Sequence, residues 1–71
     1  MTRLAYYTGE TGARVELHHA DNGVFWTERT DVAGTSVIAT DTVRAQEHHE
    51  YAEREGHVDH PFPYRLGAVA R

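Results

Sequence analysis

The sequence predicts a small α+β domain: an antiparallel sheet of three to four strands with one helix packed on one face, in the order β-β-β-(β)-α-(β). Three observations carry this. Ala13 to His19 alternates, with Ala13, Val15, Leu17 and His19 on one side and Arg14, Glu16 and His18 on the other, as a strand with one face on a core does. Asn22-Gly23 separates two strand-like runs, a strong short-range hairpin signal. Residues 41–55 then run without Pro or Gly from a good N-cap, Asp41, to a glycine stop at Gly56.

Leu4 to Thr8 is a short run of strand formers, and Gly9-Glu10-Thr11-Gly12 after it is a turn. Asn22 and Gly23 are expected as the central pair of a type I′ turn, both with positive φ. Val24 to Thr30 is the return strand. Ser36 to Thr40 reads two ways: its β-branched content favours a fourth strand, whereas a cap at Thr35 would begin the helix early. Within the helix, Val43, Glu47, Glu50 and Arg54 share a mostly charged side, with Glu50 and Arg54 at the favourable i,i+4 spacing. Ala45, His48, His49 and Ala52 follow an i, i+3, i+4, i+7 pattern, so that side is expected against the sheet. Beyond Gly56, Pro61 and Pro63 hold Pro-Phe-Pro-Tyr extended, and Tyr64-Arg65-Leu66 is a candidate edge strand.

The length of 71 residues allows a single domain, 1–71. A chain this short buries only about 60% of its unfolded surface, so it is expected either to fold alone with little margin or to gain stability from a partner, such as a second copy. Cysteine is absent, which favours a reducing, cytoplasmic setting for so small a domain. No run approaches the roughly 20 apolar residues of a membrane span, and the N-terminus lacks the pattern of a signal peptide. All 7 basic residues are arginine, which points to codon bias in a GC-rich bacterial or phage genome. The net charge of -4 argues against a phosphate-backbone binder, so a nucleic-acid accessory role ranks last among the functional readings.

The aromatic residues set the leading expectation. Tyr6-Tyr7 and Phe25-Trp26 are adjacent pairs in strands, so each pair sends one ring to each face of the sheet. One face meets the helix, and the other would be an aromatic surface that asks for a partner. The expected function is therefore a non-catalytic protein-binding or regulatory module, working as a homodimer, with Tyr6, Tyr7, Phe25 and Trp26 as interface candidates. No cofactor is needed for that role. The alternative is a histidine-based divalent metal site holding zinc. The chain has 6 histidines, and His18, His48, His57 and His60 are the candidate ligands if helix and sheet bring them together. Against this, no common zinc spacing occurs, and neighbouring strand residues face opposite ways. Catalysis is not expected. There is no cysteine nucleophile, phosphate loop or dinucleotide fingerprint, Ser36 is the only serine, and His49 with Glu53 is the one acid–base pairing at helical spacing.

Overall fold

The structure, a computed structural model, describes residues 1–64. Five strands and one helix follow one another as β1 (Thr2–Thr8), β2 (Arg14–His19), β3 (Phe25–Asp31), β4 (Gly34–Thr40), α1 (Thr42–Glu55) and β5 (His57–Val58). They form one antiparallel sheet in the order β4-β3-β2-β1-β5. The class is the expected α+β, with five strands rather than three to four. Residues 36–40 belong to β4: their β-branched side chains pair with β3, and Asp41 starts the helix by accepting the Arg44 N–H at 2.8 Å. The closing strand is His57–Val58, which pairs with Ala5 and Tyr6 of β1. The candidate strand at Tyr64-Arg65-Leu66 extends outside the described residues.

The first two hairpins use one device. Gly12 N–H donates to the Gly9 carbonyl at 3.0 Å and Gly9 N–H to the Ala13 carbonyl at 2.8 Å. Gly23 N–H likewise donates to Ala20 at 3.0 Å, and Ala20 N–H to Val24 at 2.9 Å. Each is a three-residue loop whose last residue, Gly12 or Gly23, has positive φ and forms a bulge. The Asn22-Gly23 hairpin is therefore present, but not as a type I′ turn: no non-glycine residue has positive φ among the described residues. Instead, Asn22 Oδ1 accepts the Val24 N–H at 3.1 Å, which stabilises the wider loop.

Period-2 alternation and register sort the side chains. Ala5, Tyr7, Val15, Leu17, Phe25 and Thr27 face the helix; Arg3, Tyr6, Glu16, His18, Trp26 and Glu28 face away from it. A register shift between Arg3 and Ala5 inserts Leu4 as an extra residue, and both Leu4 and Ala5 are buried. The core is Leu4, Leu17, Phe25 and Ala45, with Phe62 packed against it. The helix buries Ala45, His49 and Ala52, three members of the expected face. The small size of the two alanines brings the helix close over β1 and β5, with its flank on β2 and β3. β4 lies beyond this cover, and its residues 34–39 are exposed.

Candidate functional site

The open face of the sheet carries a connected polar cluster. Glu16 is its hub: Arg14 Nε donates to Oε2 at 3.1 Å, Arg3 Nη1 reaches the same oxygen at 3.5 Å, and His18 Nε2 lies 3.0 Å from Oε1. Burial pushes the Glu16 carboxyl up, but the hydrogen bonds from His18 and Arg14 and the two arginine charges outweigh it, so it titrates below its usual range. Arg3 also grips Asp59 with Nε at 2.8 Å and Nη2 at 3.3 Å, which holds the Asp59 carboxyl below its usual range. Both guanidinium groups lie over the Tyr6 ring, at 4.6 Å for Arg3 and 4.0 Å for Arg14.

One strand across, His18 stacks on Trp26 with ring centroids 5.3 Å apart and planes 7° from parallel. Trp26 Nε1 donates to Glu28 Oε2 at 2.9 Å, and that oxygen is 3.8 Å from His18 Nε2. Glu16 and Glu28 are direct register partners on adjacent strands. Like charges placed so are unfavourable unless something cationic joins them. A ligand atom from each of Glu16, His18 and Glu28 lies within 4.8 Å of the others, and all three residues are partly buried.

The four histidines expected as ligands do not converge. His18 belongs to the open-face cluster. His48 lies behind the sheet on the helix, where its Nδ1 and the Tyr7 hydroxyl share a hydrogen bond of 2.8 Å. His57 stands beside Asp59 at 3.4 Å and against the Tyr6 ring at 5.1 Å. His60 offers its backbone carbonyl to His49 Nε2–H at 2.9 Å. The reason is geometric: the sheet separates His18 from His48, and β5 carries His57 to the opposite side of β1 from β2. His49 itself is buried, and its bond to the His60 carbonyl ties the chain after the helix to the helix.

The aromatic pairs do split between the faces, with unequal results. Phe25 is 1% exposed in the core and stacks on Phe62, so it offers no surface to a partner. Tyr7 packs edge-on against Tyr51 on the helix side, and burial raises its pKa above the ordinary phenol value. Tyr6 and Trp26 face outward but are partly buried, covered by Arg3, Arg14 and His18.

Two further features lie outside this cluster. A trough of about 450 Å³ runs between the uncovered part of the sheet and the start of the helix, lined by Tyr7, Thr27, Arg29, Ile38, Arg44 and His48. Beside it, β4 exposes Val37 and Ile38 at 63% and 58%, far more than a strand inside a closed sheet does. No helix among the described residues is long and apolar enough to cross a membrane. The fold and these surfaces define a small α+β protein. No protein-family model, curated protein or solved structure matches the chain, so its function is read from the residues themselves.

Proposed function

We propose that this protein is a non-catalytic protein-binding module of the cytoplasm that works as a symmetric homodimer, two sheets joined edge to edge along β4. The observation that carries the reading is the chemistry of β4. Gly34–Thr40 is an edge strand of 7 residues with no charge, no proline and two exposed large aliphatic side chains. Soluble proteins usually protect such edges with lysine, proline or a bulge, because an open edge pairs with another strand.

The hairpin fixes which backbone groups are free. Val32-Ala33 is a two-residue loop, so Asp31 and Gly34 close it as a mutually hydrogen-bonded pair. Alternation then gives Ser36, Ile38 and Thr40 to β3 and directs the amides and carbonyls of Thr35, Val37 and Ala39 outward. A second copy, antiparallel and centred on Val37, pairs these three with their own symmetry mates. Val37 meets Val37, and Thr35 meets Ala39. The contact is isologous and closes, as a two-fold interface requires. Tyr6 and Trp26 play no part in it.

Sedimentation equilibrium tests the reading with two variants. Val37→Lys puts like charges at the two-fold axis, and Ala39→Pro removes an outward N–H without touching the ladder to β3. The parent is expected to be a dimer at about 50 μM, a modest affinity suited to a small interface, and both variants monomers. A parent that stays monomeric to about 1 mM, or variants that dimerise as the parent does, would defeat the reading.

A further inference from the structure

We infer that Glu16, His18 and Glu28 form a binding site for a divalent first-row transition metal, with zinc as the best chemical match. The inference is independent of the dimer, since these residues sit on β2 and β3 and not on the β4 edge.

The first support is the donor set. One imidazole nitrogen and two carboxylates are borderline-hard donors of the kind that hold zinc with positions left for water. Glu16 Oε1 and His18 Nε2 are already 3.0 Å apart, a separation two ligands of one small ion can share. Glu28 Oε2 stands 3.8 Å from the same nitrogen.

The second support is that neighbouring groups already orient the donors. Arg3 and Arg14 both hold Glu16 through Oε2, which leaves Oε1 directed at His18. Trp26 positions two of the three ligands: its ring fixes the His18 plane by stacking, and its Nε1–H holds Glu28. Outer partners of this kind set ligand orientation in known metal sites.

The third support is charge. Glu16 has arginine partners, whereas the partners of Glu28 among the described residues are the Trp26 N–H and the His18 ring. A cation between the register partners Glu16 and Glu28 relieves the like-charge contact that the β2–β3 pairing imposes. Arg3 and Arg14 oppose a cation, yet Asp59 takes up much of the Arg3 charge. Metal entry displaces at most one proton, from His18 Nε2.

Trp26 makes the test direct, because it is the single tryptophan of the chain. The untagged full chain, stripped with chelator, is titrated at pH 7.5 with Zn²⁺ alone by calorimetry, and with Co²⁺ while Trp26 emission is followed. Saturable binding of one ion per chain with quenching of Trp26 is expected. His18→Gln and Glu28→Gln should each weaken it at least about tenfold, while His57→Gln leaves it unchanged. Glu28→Gln keeps an acceptor for Trp26 Nε1, so its loss of affinity is read in a chain with the stack intact. The inference is overturned if no saturation occurs below about 1 mM Zn²⁺. It is equally overturned if both substitutions leave the affinity within about threefold of the parent, or if His57→Gln abolishes binding.

Discussion

Gly56 is pressed against Tyr7: a methyl group at Gly56 would stand 2.7 Å from the Tyr7 Cβ, and it would run into the Tyr6 carbonyl oxygen as well. The φ of Gly56, -146°, lies outside the left-handed region. Glycine is therefore required here for room and not for a left-handed turn. It lets the last turn of the helix, which receives the Gly56 N–H at the Ala52 carbonyl, swing directly into β5 alongside β1.

Gly56→Ala is accordingly expected to destabilise the fold by about 1–3 kcal/mol, the usual cost of forcing atoms into filled space, since backbone cannot yield as a flexible side chain does. The measurement is the urea midpoint of the substituted chain against the parent. Equal midpoints would mean that helix and β1 are farther apart than described.

The second hairpin gives a prediction that separates two turn types. Gly23 has φ +92° and Asn22 does not have positive φ. Gly23→Val should cost more than about 1 kcal/mol, because a β-branched residue resists that conformation. Asn22→Ala should cost less, on the order of 0.5–1 kcal/mol, for its hydrogen bond to Val24 N–H alone. A type I′ turn would instead make both positions sensitive to loss of positive φ. Comparable losses at both positions would therefore restore the two-residue turn.

That turn also decides how much of the open-face cluster was legible in the sequence. The class, the helix with its cap at Asp41, the buried face with Ala45 and Ala52, and the alternation of β2 all follow from local patterns. Register does not. A two-residue turn at Asn22-Gly23 would set Glu16 opposite Arg29, an ordinary ion pair. The three-residue loop sets it opposite Glu28 and makes the Glu16–His18–Glu28 cluster. One residue of loop length thus exchanges a cation for a second carboxylate, and the preference of Asn-Gly for tight turns points the wrong way. The histidines misled for a related reason. Adjacent members such as His18-His19 go to opposite faces, so their number in the sequence says little about their convergence. β5 was illegible because its two residues, His57 and Val58, carry no pattern and owe their conformation to β1.

The last prediction concerns acid and His48. Burial, aided by the positive charge of Arg44, holds the His48 imidazole below its ordinary value of 6.5, and Glu47 opposes this without reversing it. The groups that share its surroundings are the Tyr7 hydroxyl, Arg29 and Asp41 along the trough, and Tyr7 shares a hydrogen bond with its Nδ1. With the folded pKa below the unfolded one, the unfolded chain binds more protons as pH falls. The contribution of His48 is then fully present above the unfolded value of 6.5. It shrinks as pH drops through that value and levels off below the folded one. Glu16 and Asp59 are shifted in the other class of groups: their depressed carboxyl values add stability that is lost only at more acid pH, below their ordinary 4.5 and 3.8. Urea titrations at pH 7.5 and pH 5.5 therefore isolate the histidine window. The parent should be less stable at pH 5.5, and His48→Gln should remove most of that difference, since glutamine does not titrate. Both titrations are made with chelator present, so that any metal held by Glu16, His18 and Glu28 does not enter the difference. A parent more stable at pH 5.5 than at pH 7.5, or a His48→Gln chain with the full acid loss, would show that another group carries the dependence.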